Sequence, residues 1–143
     1  MKLNEILLES LGIPFKNKCE ITIINGNDEE IPIECEIPST EEERAQGLMY
    51  RDELGANNGM FFDSIDNGFW MKDVEIPLEM IFIDGDEISE IIPANPMDTT
   101  NISNNLPADS NLEVNQGFCE NNGIGVGDKI IHYKSQGTRP QIA

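Results

Sequence analysis

Positive charge is scarce in this chain. Nine lysines and arginines stand against 27 aspartates and glutamates in 143 residues, a formal net charge of −18. A surface of that sign repels phosphate backbones, so nucleic acid is not expected as a partner; the charge serves solubility or draws in a basic partner. Histidine occurs once, at His132, and the three cysteines, Cys19, Cys35 and Cys119, contain no C-x-x-C pair. These four residues lack zinc-ligand spacing, so no metal and no cofactor are expected. They read as buried free thiols of a reducing compartment. Cys19 and Cys35 are able to approach across a hairpin, and Cys119, in a Gly- and Asn-rich stretch, is the more open position. No serine lies in a nucleophile elbow and nothing sets His132 beside Cys119, so nucleophilic catalysis is poorly supported. Long apolar runs are also missing. Glu5 and Glu9 interrupt MKLNEILLESLG where a secretory signal needs an apolar core, and no stretch approaches a membrane span. The expected setting is cytoplasmic, with no membrane partner. Oligomeric state is not legible.

What is present is short strands and turns. Leu3, Ile6, Leu7 and Leu11 recur at helical spacing before Gly12-Ile13-Pro14, so residues 1–17 read as an N-terminal helical extension. CEITIINGNDEEIPIECEI then gives two β-rich runs around Asn25-Gly26-Asn27-Asp28, a hairpin. Ile31, Ile33, Cys35 and Ile37 alternate with Pro32, Glu34 and Glu36, and Pro32 marks a strand start or edge. In PSTEEERAQGLMYRDELG, Ser39 with Glu42 or Thr40 with Glu43 fits a capping box, and Gly55 is a plausible stop. A helix of two turns there puts Arg44 and Arg51 on one face. Met60-Phe61-Phe62 and Phe69-Trp70-Met71 read as short strands. In the strand Ile76–Ile83, Leu78, Met80 and Phe82 face one way and Glu79, Ile81 and Ile83 the other, and Asp84-Gly85-Asp86 turns the chain into the next strand. A long polar loop over 93–110 precedes two last strands, NLEVNQG and DKIIHYK. Residues 18–135 form one β domain and 136–143 a frayed tail. The pattern predicts a mainly β, antiparallel sandwich or barrel carrying one helix.

The central block resembles a bacterial, archaeal and phage-borne family, domain of unknown function number 192. ERAQGLMYRDEL, GMFFD, FWMKDVEIPLEMIFID, LEVNQG and a later Gly-Asp follow that family's motifs in order. The matched residues are Arg44, Gly47, Leu48, Met49, Arg51, Leu54, Gly59, Met60, Phe62, Phe69, Trp70, Met71, Lys72, Pro77, Leu78, Phe82 and Ile83, then Leu112, Glu113, Gly117, Gly127 and Asp128. The likeness covers about residues 31–134. Asp73-Val74 stands where the family pattern has Asn-Thr, and Glu79 where it has Asp. The resemblance implies a compact jelly-roll-like sandwich or barrel and brings no assigned reaction.

The candidate site residues are Arg44, Arg51, Trp70, Lys72, Glu79 and Glu113. One reading makes them a pocket. Arg51 and Lys72 hold an anionic group of a small molecule or peptide, Trp70 or Met71 supplies an apolar wall, and Glu79 or Glu113 orients the ligand. A second reading is a hydrolytic enzyme using Glu79 or Glu113. A third is structural: the arginines pin the helix through pairs with Glu79, Glu113 or Asp128, Trp70 lies in the core, and the leading helix or acidic surface docks a partner.

Overall fold

The computed structural model describes residues 12–66 and 68–135. The N-terminal helix expected before Gly12 and the tail after Ser135 lie outside the described residues. Among those described, seven strands are formed: β1 (Lys18–Ile24), β2 (Glu30–Glu36), β3 (Asn58–Phe62), β4 (Leu78–Asp84), β5 (Glu87–Ala94), β6 (Ser110–Asn115) and β7 (Lys129–Ser135). Two short helices, α1 (Glu41–Gln46) and α2 (Phe118–Asn121), complete the set. The strands close into a barrel in the order β1-β2-β3-β6-β4-β5-β7. The protein is therefore mainly β. Of the two architectures that the sequence pattern leaves open, it is the barrel that forms, and β2 and β3 run parallel, from Glu34↔Asn58 to Glu36↔Met60.

Local chemistry sets the two hairpins. Asn25 Oδ1 accepts the backbone N–H groups of Asn27 and Glu29 at 3.0 and 2.9 Å, which folds the first turn around its own side chain. Asn25 Nδ2 donates to the carbonyl of Asn122 at 2.8 Å and so ties that turn to the opposite end of the chain. In the second hairpin Gly85 takes φ +65, which a side chain would resist, and its N–H donates to Asp109 Oδ2 at 2.9 Å. Pro32 pairs with Thr22 on β1, in the part of β2 that has no β3 neighbour, so its missing N–H leaves the parallel ladder intact.

Strand alternation divides the apolar residues into two cores. Ile21, Ile23, Ile33, Ile81, Leu112 and Val114 fill the barrel interior, and Phe118, Cys119 and Ile124 pack into the same cluster from α2 and the turn after it. Met60, Phe62, Leu78, Met80 and Phe82 form a second core on the outer face of β3 and β4 with Leu48, Met71, Val74 and Ile76 from the connecting segments. Fully burying a side chain such as Phe82 contributes about 1.5–3 kcal/mol, and β4 collects that gain on both faces. The three cysteines are buried and unpaired. Cys119 is thus not the open position expected. Burial, with the Glu79 carboxylate nearby, holds its thiol well above the ordinary range. Cys19 and Cys35 do face each other across the first hairpin.

Two other expectations are corrected. The central helix spans only Glu41–Gln46. Thr40 Oγ1 accepts the Glu43 N–H at 3.0 Å, and Glu43 Oε1 accepts the Ser39 N–H at 2.8 Å, giving the start. Gly47, at φ 51, then ends the helix eight residues before Gly55. Arg44 and Arg51 therefore do not share a helical face. Phe69–Met71 is not a strand; it contributes one bridge, Phe69↔Ile102.

Gly59 tests the packing of the β3–β6 junction. A Cβ there would lie 2.9 Å from the Glu113 carbonyl oxygen and 3.0 Å from Leu112 Cδ1. Gly59→Ala should cost about 1–3 kcal/mol in a urea melt by overpacking; an unchanged midpoint would show slack in this wall.

Candidate functional site

Arg44 leaves α1 toward the end of β3. Its Nη2 donates to the Ser64 carbonyl at 2.7 Å and meets Asp66 Oδ2 at 3.3 Å, while Nη1 lies 3.6 Å from Asp63 Oδ1. The guanidinium sits 5.8 Å from the Phe62 ring centroid. These contacts fasten the helix to the loop after β3.

Arg51 is held by Glu36, a residue of the polar face of β2. Its Nη1 and Nη2 donate to the two carboxylate oxygens of Glu36 at 2.5 and 2.8 Å, with the guanidinium 5.1 Å from the Phe15 ring. Glu36 Oε1 also accepts the Phe15 N–H at 2.6 Å. The pair is mostly dry, with side-chain exposures of 8% and 15%. It borders a cleft of about 690 Å³ whose lining includes Gly12, Tyr50, Asp52, Glu53 and Lys18. Four carboxylates against two cations face that cleft, and one of those cations is already neutralised. Anions are not favoured there.

Lys72 comes close to Arg51 through the backbone alone. The Tyr50 N–H donates to the Asp73 carbonyl at 3.0 Å, which joins the two segments one residue away from each cation. The Lys72 ammonium then turns outward and lies 5.4 Å from the Trp70 ring centroid. Trp70 is 48% exposed, so it is a surface residue and not a core wall. Segment 69–72 alternates like a strand although it sits outside the barrel. Phe69 packs inward, 5.1 Å from the Phe62 ring and 6.2 Å from Phe82, and Met71 is buried beside them. Trp70 and Lys72 point out. Backbone bonds from Phe69 to Ile102 in both directions and from the Met71 N–H to Asp98 hold the segment against the 95–109 loop.

The same region stores backbone strain. Tyr50, Asp73 and Met97 adopt φ of 67, 59 and 64°, three of the four positive-φ non-glycine positions among the described residues. They are stitched together by the Tyr50–Asp73 bond and by the Met97 N–H donating to Val74 at 2.9 Å. Such a conformation costs about 1–2 kcal/mol for a residue with a Cβ. What it presents is an exposed ring and an exposed thioether, Tyr50 at 44% and Met97 at 53%.

Glu79 and Glu113 are separated by the sheet itself. Glu79 pairs with Val114, and its carboxylate accepts the N–H groups of Gly117 and Cys119, each at 3.0 Å, capping the first turn of α2. Glu113 lies on the other face of the wall, directly between Met60 and Met80. Two carboxylates on opposite faces cannot share a glycosidic or peptide bond. The pairs expected between the arginines and Glu79, Glu113 or Asp128 are also not made: Asp128 Oδ2 accepts the Gly125 N–H at 2.7 Å, within its own turn. Glu113 is 5% exposed and has no hydrogen-bond partner among the described residues; burial pushes its carboxyl up to about 8. Asn111, between Phe62 and Phe82, is 0% exposed, and both polar atoms of its carboxamide lack a partner among the described residues. Among the described residues no group of three His, Cys, Asp or Glu side chains could hold a metal ion, and no helix is long and apolar enough to cross a membrane.

Fold and site together define a small closed β-barrel with a second core under a two-sided Phe-Trp-Met-Lys segment. The chain belongs to the DUF192 family (Uncharacterized ACR), whose profile matches residues 22–132. Two crystal structures are similar to it. One, from Sinorhizobium meliloti 1021 and described as a "putative transcription regulator", is 27% identical, with a TM-score of 0.75 over 86% of this chain and 96% of that one. The other, a protein of unknown function from Novosphingobium aromaticivorans DSM 12444, is 34% identical, with a TM-score of 0.70 over 78% of this chain and 82% of that one. No curated protein shows significant similarity to the chain.

Two measurements probe this geometry. Removing one partner of a buried pair strands the other charge, so Arg51→Ala should cost about 3–5 kcal/mol in denaturant melts, while Arg51→Met with Glu36→Leu costs far less than the two single changes added. Strict additivity would contradict the pair. Glu113 gives a pH signature. The folded state keeps a proton that the unfolded chain releases near the ordinary value of 4.5, so stability falls as pH rises from there to about 8. The slope reaches at most about 1.4 kcal/mol per pH unit. Glu113→Gln should remove this component from a melting series, and an identical pH profile in the variant would contradict it.

Proposed function

We propose that the protein is a binding module whose recognition surface is Trp70 with Lys72, bordered by Tyr50 and Met97. Its ligand is a small molecule that joins an anionic group to an apolar or aromatic body. One observation carries this reading. In a chain with nine basic residues and 27 acidic ones, Lys72 has no ion-pair partner among the described residues and instead lies over the chain's single, half-exposed tryptophan. A cation left unneutralised in an acidic molecule is available to a carboxylate or phosphate, and the ring beside it offers a flat apolar platform. The strained Tyr50 and Met97 support the reading, because strain of this kind persists where display of the side chain is useful. Arg51 keeps the role of holding the Tyr50 segment in place through Glu36.

A hydrolytic reading is weaker, since Glu79 caps a helix and Glu113 is enclosed alone. The description of the Sinorhizobium relative is compatible with a small-molecule sensor. Direct phosphate-backbone contact is opposed by a charge of −18. Three buried, unpaired thiols support a reducing, cytoplasmic setting.

The lone tryptophan reports on its own site. Titrating small aromatic and aliphatic carboxylates and phosphates against Trp70 fluorescence should yield ligands that change its emission, with binding weakened about tenfold in Lys72→Ala and restored in Lys72→Arg. Emission indifferent to every compound would overturn the proposal. Binding that needs Arg51 but not Lys72 would do so as well, by moving the site to the cleft; a response to peptides alone would replace the ligand class.

A further inference from the structure

We infer a second, internal binding site, in which Asn111 and Glu113 on the outer face of β6 form a polar floor beneath segment 69–72 for a small uncharged group that both donates and accepts hydrogen bonds, such as a primary amide or hydroxyl. This inference does not rest on the Trp70–Lys72 surface, which lies on the other side of the same segment.

Placement is the first argument. Asn111 and Glu113 are two apart on β6 and so project from one face. Across the neighbouring strands Asn111 is flanked by Phe62 and Phe82, and Glu113 by Met60 and Met80. These four residues are apolar and buried, so β3 and β4 bring no charge to that floor. From the covering segments, Arg51 is committed to Glu36 and Lys72 points outward over Trp70. An apolar enclosure around the carboxamide of Asn111, both of whose polar atoms are buried without a partner among the described residues, is costly, because the amide gives up the hydrogen bonds it makes in water; Glu113 beside it is 5% exposed. An apolar side chain at 111 would avoid that loss, which points to a use for the carboxamide beyond packing.

Chemistry narrows the ligand. The carboxamide of Asn111 donates and accepts, and the protonated carboxyl of Glu113 does the same. An amide or hydroxyl satisfies both. A carboxylate would carry an uncompensated charge into an apolar core. Access requires no break in the barrel. The cover is tied to the 95–109 loop by the backbone bonds of Phe69 and Met71, and Glu90 holds that loop through the Asn105 and Leu106 N–H groups, all outside the strand ladder.

Methionine methyl groups next to the floor provide the readout. The full chain, labelled with ¹³C-methyl methionine, is titrated with acetamide and, in parallel, with acetate and methylammonium. Met60 and Met80 should shift saturably with acetamide, with a Kd on the order of millimolar, while exposed Met97 stays still and the two ions have no effect. Asn111→Leu should abolish the response and raise the melting temperature; Glu113→Gln, an uncharged donor and acceptor, should keep the response. Unmoved Met60 and Met80 resonances, an equal response to methylammonium, or a destabilised Asn111→Leu protein (whose carboxamide would then have a structural partner) would each overturn the inference.

Discussion

The wall formed by β3, β6 and β4 is shielded from water on both faces. A sheet whose strands alternate must bury a second row of side chains wherever its outer face is covered, and here that row is Met60 and Phe62, Asn111 and Glu113, Met80 and Phe82. The inner row is apolar at its centre, Leu112, Val114, Ile81 and Ile83, with the polar Ser110 and Glu79 only toward its ends. The outer row carries its two polar members, Asn111 and Glu113, on the central strand, with the least access to solvent, and burial there raises the Glu113 carboxyl.

The cover over this wall explains why the Phe-Trp-Met-Lys motif has its form. Phe69 and Met71 complete the second core, which demands apolar side chains at alternate positions. Trp70 and Lys72 are then obliged to face outward, and they do so beside two further segments whose backbones are strained and cross-linked. Stability and display are therefore built from the same four residues. Arg51 contributes at one remove: its closed pair with Glu36 anchors the chain immediately after Tyr50.

Much of the fold could be read from local patterns. Asn25–Asp28 and Asp84–Asp86 announce hairpins because turn chemistry is local, and the alternation of Leu78, Met80 and Phe82 against Glu79, Ile81 and Ile83 is the one observed. Barrel closure and the parallel pairing of β2 with β3 were not legible, since both depend on contacts distant in sequence. The central helix was read too long because Leu48 and Met49 keep packing inward after Gly47 has ended it. Trp70 reads as core by residue type, yet only its place between two inward residues decides its direction. Glu36 was hidden as one more wet-face residue of a period-two run. Asn111 left a faint signal, an asparagine entering the strand NLEV where a β-former is expected. Tyr50 and Met97 left none, because positive φ at such residues is imposed by tertiary contacts.

The most direct test of this account is the ionisation of Glu113 in the folded protein, followed by the ¹³C chemical shift of its side-chain carboxyl and assigned by its loss in Glu113→Gln. A wall closed on both faces predicts a carboxyl that is still protonated at neutral pH and titrates near 8. A midpoint at the ordinary glutamate value would mean that water or a cation reaches Glu113, and the enclosed polar floor would not exist.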